Sequence, residues 1–142
     1  MSKNGHSTKT KRTNDQLVLR VLRRANGPLT AYQILDRLRE DGISGPPTVY
    51  RALDKLLEKG LAHRIETLNA YVRCRERKHC TQPAFAICDG CGTVAEFSDA
   101  MMQTRLQEIT EQMGFGVRAG SIEMRGRCSG CRSNDEKREA VR

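Results

Sequence analysis

The sequence predicts an α+β fold: an N-terminal winged helix-turn-helix domain followed by a C-terminal α/β domain. Three observations predict it. Apolar residues recur at helical spacing in three segments of the first half. A hairpin pattern follows the third segment directly. In the second half, two Cys-x-x-Cys pairs enclose a strand, a helix and a second strand.

The three helices are marked by their ends. Thr13 with Gln16 and Thr30 with Gln33 fit the capping box, in which side chains satisfy the first free backbone groups. The third helix begins at Pro46-Pro47, where no backbone donor is missed. Glycines at 27, 42 and 60 favour the helix ends. A short turn joins the second and third helices, which is the helix-turn-helix arrangement.

The third helix carries the candidate DNA-contacting residues. Thr48, Arg51 and Lys55 share one face of this helix, away from its leucines, and Tyr50 flanks that face. Arg can bind guanine or phosphate, and the Tyr hydroxyl can reach a phosphate. Helix charges more often form only a solvated face, so the surrounding motif carries the prediction. The sequence therefore predicts that this helix enters the major groove of double-stranded DNA.

The hairpin is predicted as strands Leu61–Thr67 and Ala70–Cys74, with Leu68-Asn69 as a two-residue turn. This register places His63 directly opposite Cys74, with Cβ atoms about 4.5–5.5 Å apart. Two such side chains could share one metal ion.

Charge supports the division into two domains. Residues 1–76 contain 15 Lys and Arg against 8 Asp and Glu, whereas residues 77–142 contain 10 against 9. A basic half is typical of nucleic-acid binding. No apolar run is long enough to span a membrane and the N-terminus has no apolar signal segment, so we expect a cytoplasmic protein. Thiols stay reduced there, which favours metal binding by the six cysteines.

The predicted boundaries follow these patterns. Residues 1–12 form a disordered basic tail, 13–74 the winged helix, 75–82 a hinge, 83–132 the second domain and 133–142 a loose tail. Within the second domain we predict strands Ala84–Ile87 and Thr93–Phe97, a helix capped by Ser98, and a strand over Phe115–Arg125. The predicted helix has a buried stripe of Met102, Leu106, Ile109 and Met113.

The two Cys-x-x-Cys pairs, Cys88 with Cys91 and Cys128 with Cys131, predict a closed tetrahedral zinc site. The glycines at 90, 92 and 130 allow the tight backbone that such turns need. A site with four thiolates has no open position, so its role would be structural. Two disulfides or a redox pair are alternatives, but the compartment disfavours the first and the matched pairs disfavour the second.

A second group of possible ligands gathers near the hinge: His63, Cys74, His79 and Glu96, with Cys80 as a competitor. A lone surface His is usually not a ligand, but two His beside two spare Cys are more suggestive. The residues alone leave open whether this group binds a metal.

These motifs resemble a known family. The chain resembles the ferric uptake regulator family of bacterial repressors over about residues 13–132. The resemblance lies in the segment from Pro47 to Leu56 with its Thr-Val-Tyr-Arg run, in Gly60-Leu-Ala-His63 and in both cysteine pairs. The similarity is greatest to the zinc-sensing branch of that family. Departures include the distance of His79 from Cys88, nine residues, and the lack of a histidine-rich stretch.

The resemblance implies a homodimer in which the C-terminal domain is the dimerisation domain. It implies that Tyr50 and Arg51 contact DNA, that the four cysteines hold a structural Zn²⁺, and that His63, Cys74, His79 and Glu96 hold a regulatory Zn²⁺. The protein would then be a zinc-responsive repressor of zinc-uptake genes, acting on a DNA operator, with no membrane and no small-molecule substrate. Alternatives are a sensor of iron, manganese, nickel or peroxide, and a DNA-binding module with structural zinc only. No base-oriented nucleophile or open zinc motif is apparent, so we do not expect an enzyme.

Overall fold

The computed structural model describes residues 10–75 and 82–141. Within these ranges the chain forms five α-helices and five β-strands, with short 3₁₀ turns at Arg39–Asp41 and Glu66–Leu68. The elements, in chain order, are α1 (Asn14–Arg24), α2 (Ala31–Leu38), α3 (Pro46–Glu58), β1 (Ala62–Ile65), β2 (Ala70–Arg73), β3 (Ala84–Cys88), β4 (Val94–Phe97), α4 (Ala100–Gln112), β5 (Ile122–Gly126) and α5 (Ser129–Glu139).

The first half is a winged helix, as predicted. Both capping boxes are present, Thr13 with Gln16 on α1 and Thr30 with Gln33 on α2. Helix α3 begins with Pro46 and Pro47 behind Gly45. The apolar stripes of the three helices pack into one core, in which Val18, Ile34, Leu38, Val49 and Leu53 are fully buried. This core fixes the position of α3 and of the hairpin that follows it.

The predicted register of the hairpin is wrong. Strands β1 and β2 pair His63 with Val72 and Ile65 with Ala70, so the loop has four residues rather than two. Residues 66–68 turn as a 3₁₀ helix and Asn69 adopts the left-handed conformation, with φ 46°. Because the register moves by two residues, Cys74 stays on the face that carries His63 and Val72. His63 and Cys74 are therefore diagonal neighbours rather than directly opposite each other.

The second half contains a three-stranded sheet in the order β4-β3-β5. Strand β4 is antiparallel to β3, and β5 is parallel to it after the crossover through α4. Paired residues place Glu96, Phe85 and Glu123 in one row across the sheet.

Several predicted bounds in the second half are corrected. Asp99, not Ser98, caps α4 by accepting a hydrogen bond from the Met102 N–H at 2.8 Å. The stripe on α4 is not buried within this chain, and Met113 is 72% exposed. The strand predicted from Phe115 begins only at Ile122. Residues 133–139, predicted to be loose, continue helix α5, where the Arg127–Asp135 ion pair at 2.6 Å supports the first turns.

A second, smaller core lies between the hairpin and the sheet. Ile65 from β1 packs against Phe85 and Ile87 of β3, with Val72 and Val94 at its edge. The hairpin thus belongs to the winged helix by sequence but also packs on the C-terminal sheet. None of the described helices is long and apolar enough to cross a membrane.

Candidate metal centres and DNA-binding surface

The two cysteine pairs meet at one end of the sheet. Cys88 is the last residue of β3, Cys91 follows it in a turn, Cys128 caps α5 and Cys131 lies in the first turn of that helix. The four sulfur atoms all lie within 4.8 Å of one another. The parallel pairing of β3 with β5 brings the two turns together, because it sets Cys88 beside Gly126.

Backbone N–H groups favour the thiolate form of Cys88, whereas the neighbouring thiols oppose ionisation of Cys131. The N–H groups of Cys128 and Gly90 each donate to the Cys88 sulfur at 3.3 Å. The Cys128 N–H is the largest of the effects that lower the pKa of Cys88 to about 6. Hydrogen bonding to Cys128 and Cys88 raises the pKa of Cys131 to about 12. Sulfurs this close ionise together only beside a cation, and a tetrahedral Zn²⁺ fits four thiolates.

Gly90 is required by the space inside the first turn. A Cβ at this position would lie 2.8 Å from the Cys131 sulfur and 3.1 Å from its Cβ. By contrast, no described atom lies within 4 Å of where a Cβ on Gly130 would be.

The second group of side chains lies where the hairpin meets the sheet. One ligand atom each from His63, Cys74 and Glu96 lies within 4.8 Å of the others. Nε2 of His63 is 3.6 Å from Oε1 of Glu96, and these side chains are only 9% and 5% exposed. The three residues come from β1, from the end of β2 and from β4, so an ion among them would join the two halves.

The chemistry of His63 suits a metal ligand. Burial lowers its pKa, so the imidazole stays neutral and keeps a lone pair. The ring stacks edge-on to Phe85 with centroids 6.1 Å apart. Among the described residues, the buried Nε2 has no hydrogen-bond partner, and an unsatisfied buried nitrogen is costly unless something binds it. Imidazole, thiolate and carboxylate together form a ligand set that Zn²⁺ accepts.

His79 and Cys80, the remaining predicted candidates for this group, lie outside the described residues. The structure therefore brings together three of the four predicted hinge ligands and leaves the choice between His79 and Cys80 open.

Three of the four predicted DNA-contacting residues line one groove. Thr48, Arg51 and Lys55 of α3 lie along it with the start of α1, around Asp15. Tyr50, the fourth, is on the same helix and is 40% exposed, but it does not line the groove. The Lys55 and Lys59 ammonium groups lie 3.9 and 3.6 Å from the Asp15 carboxylate.

Sequence reasoning missed two residues near these sites. Asp15 lies inside the capping box of α1 and the sequence pattern gives it no further role, although the packing of α1 against α3 places it beside Lys55 and Lys59. Glu123 carried no signal, because its partners are 56 and 57 residues away. It accepts hydrogen bonds from the N–H groups of Glu66 and Thr67, at 2.5 and 3.0 Å, and from the Thr67 hydroxyl.

A helix-turn-helix with a wing, packed on a sheet beside two clusters of side chains of the metal-ligand type, is the architecture of a winged-helix DNA-binding protein. The comparisons with known proteins give the family. The model of the ferric uptake regulator family matches residues 7–125, and the chain belongs to this family.

The chain is similar in sequence and in structure to known proteins of this family. It is 41% identical over 116 residues to the zinc uptake regulation protein of Escherichia coli (strain K12), covering 80% of this chain and 68% of that protein. A solved zinc uptake regulator complexed with zinc and DNA superposes with a TM-score of 0.81 at 36% identity, covering 89% and 86% of the two chains. The crystal structure of holo XcZur gives a TM-score of 0.78 at 35% identity, covering 86% of each.

Proposed function

We propose that this protein is a zinc-responsive, DNA-binding transcriptional repressor of zinc-uptake genes, with zinc as its corepressor. The observation that carries the proposal is the grouping of His63, Cys74 and Glu96 between wing and sheet. It occurs in a chain 41% identical to a zinc uptake regulation protein. The protein would act in the cytoplasm as a homodimer on a double-stranded operator, as a regulator rather than an enzyme.

We assign a structural Zn²⁺ to Cys88, Cys91, Cys128 and Cys131. Four thiolates close the coordination sphere, so this ion would hold the end of β3 to α5 rather than respond to zinc supply. The backbone N–H groups on Cys88 would orient the ligands, as groups outside a coordination sphere commonly do.

A regulatory Zn²⁺ would be held by His63, Cys74 and Glu96, with His79 as the fourth ligand. Ion binding supplies free energy that favours one arrangement of wing and sheet over others, and only this difference can shift the equilibrium. Because β1 follows α3 after only three residues, fixing His63 also fixes the orientation of α3. Two subunits held in this way would present their α3 helices at the spacing of the operator half-sites.

Thr48, Tyr50, Arg51 and Lys55 would contact the operator. The long side chains of Arg51 and Lys55 suit guanine edges and phosphates, whereas Thr48 and Tyr50 have hydroxyl groups for shorter contacts.

The proposal is tested by measuring operator binding during a zinc titration, using fluorescence anisotropy at fixed salt. We expect the wild type to gain affinity as the regulatory site fills, and Cys74→Ser to lose most of this gain. Equal operator affinity with and without regulatory zinc would contradict the proposal. Repeating the titration with Fe²⁺, Mn²⁺ and Ni²⁺ separates a zinc sensor from a sensor of another metal.

The fourth ligand is identified in the same assay with His79→Ala and Cys80→Ser. If His79 completes the site, only His79→Ala raises the zinc concentration at half-maximal operator binding, here called the zinc midpoint. Cys80→Ser then behaves as the wild type. The opposite pattern would assign the fourth position to Cys80.

A further inference from the structure

Besides their shared apolar core, the hairpin and the sheet meet at two carboxylates, and only one of these is a candidate metal ligand. Glu96 and Glu123 occupy the same row of the sheet, on either side of Phe85. With strands about 4.8 Å apart, their Cα atoms are separated by roughly 10 Å. Glu96 faces His63, whereas Glu123 faces the loop of the hairpin.

The contact at Glu123 binds the loop through its backbone. Both carboxylate oxygens are used, one by the Glu66 N–H and the other by the N–H and hydroxyl of Thr67. Hydrogen bonds to a charged acceptor are stronger than neutral ones. Burial raises the pKa of Glu123, but these hydrogen bonds lower it by more, so the carboxylate remains ionised. Fully buried Ile65 lies directly before this loop and packs against Phe85.

We propose that Glu123 is a positioning residue: it latches the hairpin loop onto the sheet without a metal, and so sets the zinc concentration at which the protein responds. This inference rests on the proposed function. A protein whose binding-competent arrangement is only partly populated has an apparent dissociation constant increased by the reciprocal of that population. The latch raises the population, because it holds β1 so that His63 stays beside Glu96 before an ion arrives.

The latch also gives the loop its shape. The four-residue loop turns Glu66 and Thr67 so that two successive N–H groups point at one carboxylate. A two-residue turn would have kept these groups in the strand ladder. The hairpin loop therefore contacts the sheet, and the N–H groups of Glu66 and Thr67 are not free for the phosphates of DNA.

The test replaces Glu123 with Gln, which has the same shape but offers an amide NH₂ where an acceptor is needed. Glu139→Gln, on exposed α5, is the matched control for loss of one negative charge. We expect the zinc midpoint of operator binding to rise about tenfold in Glu123→Gln. Operator affinity at saturating zinc should change less than about threefold, because excess zinc closes the arrangement without the latch. An unchanged zinc midpoint would overturn the proposal. So would a loss of operator affinity at saturating zinc as large as the shift of the midpoint.

Hydrogen exchange supplies a readout that does not depend on DNA. It is measured on the wild type and on Glu123→Gln with the regulatory site empty. The Glu66 and Thr67 amides should be protected in the wild type and exchange faster in Glu123→Gln. If the wild type ignores zinc but these amides are protected, the proposed function fails while the latch survives as a structural contact. If the amides are unprotected while zinc still controls operator binding, only the latch is wrong.

Thr67→Val keeps the test decisive if Glu123→Gln folds poorly, because it removes only the hydroxyl donor. We expect a smaller shift of the zinc midpoint in the same direction. The effects of the two substitutions should also combine non-additively, since both act on one hydrogen-bond network. Strict additivity would show that Thr67 and Glu123 do not act through each other.

Discussion

At the scale of single residues, the cysteine centre depends on the missing side chain of Gly90. A methyl group there would lie 2.8 Å from the Cys131 sulfur, and the sulfur belongs to a short side chain that cannot move aside easily. Gly90→Ala should therefore destabilise the C-terminal domain by about 1–3 kcal/mol, as overpacking commonly does.

The measurement is denaturant unfolding of the zinc-loaded protein. Release of zinc to a chromogenic chelator is recorded in parallel. Gly130→Ala is the matched control, since its new Cβ would meet no described atom within 4 Å. Because Gly130 lies in the first turn of α5, this substitution should leave the free energy of unfolding unchanged or raise it by up to about 1 kcal/mol, the opposite sign to Gly90→Ala. Equal effects of the two substitutions would show that the contact with Cys131 is not the cause.

Asp15 is a second residue whose effect can be isolated. Its carboxylate lies in the groove with Thr48, Arg51 and Lys55, and pairs with Lys55 and Lys59. Asp15→Asn should free both lysines for phosphates. Operator affinity should rise a few-fold, and the slope of log affinity against log salt should steepen by about one for each lysine that gains a phosphate contact, so by up to about two.

Binding should be measured by anisotropy over a range of salt concentrations. Asp99→Asn serves as the control, because Asn caps a helix about as well as Asp and this residue lies far along the chain at the start of α4. A lower affinity in Asp15→Asn would indicate that the carboxylate orients the lysines for DNA instead of competing with it.

At the scale of secondary-structure elements, strand β1 contacts both halves of the protein. Ile65 is fully buried against Phe85 and Ile87, apart from the core of the winged helix. Ile65→Ala should weaken docking of the hairpin on the sheet, with a loss of the size usual for large-to-small core changes, about 2–5 kcal/mol at most. Hydrogen exchange should increase in β1 and β2 but not in α1 to α3.

Leu53→Ala is the comparison, because Leu53 is equally buried but lies in the core of the three helices. It should increase exchange throughout α1, α2 and α3. If Ile65→Ala also loosened those helices, the hairpin and the helices would form one cooperative unit rather than two.

The elements also show what a sequence can predict here. The starts of α1, α2 and α3 could be predicted from Thr13, Thr30 and Pro46, because the start of a helix depends on interactions between residues close in sequence. The grouping of the cysteines was predictable because their spacing is characteristic of zinc. By contrast, the hairpin loop is held by Glu123, more than fifty residues away, so its register could not be read locally.

Two other errors have physical causes of the same kind. Periodicity on α4 marks an apolar stripe but does not say which molecule covers it, and within this chain Ile109 and Met113 stay exposed. Helix α5 has no apolar stripe at all, since it is fixed by Cys128 and by the Arg127–Asp135 pair. The roles of the predicted ligands and DNA contacts remain predictions.

At the scale of the whole molecule, each metal centre should hold one zinc ion, and the two centres should differ in how readily that ion exchanges. The wild type should retain two zinc ions per chain at saturation, and dialysis against a moderate chelator should remove one. Cys74→Ser should bind one, and that ion should resist the chelator because it lies among four thiolates. Elemental analysis after dialysis checks this expectation, and two tightly held ions in Cys74→Ser would contradict it.

The position of the hairpin has a consequence for exchanging parts between relatives. In a chimera joined at residue 75, the donor would supply α3 together with His63 and Cys74. Glu96 and Glu123 would come from the recipient. Under the proposed function, operator preference and two ligands of the regulatory zinc would then be inherited together. Such a swap would bring new target genes under zinc control only if the donor hairpin still fits Glu96 and Glu123 of the recipient sheet.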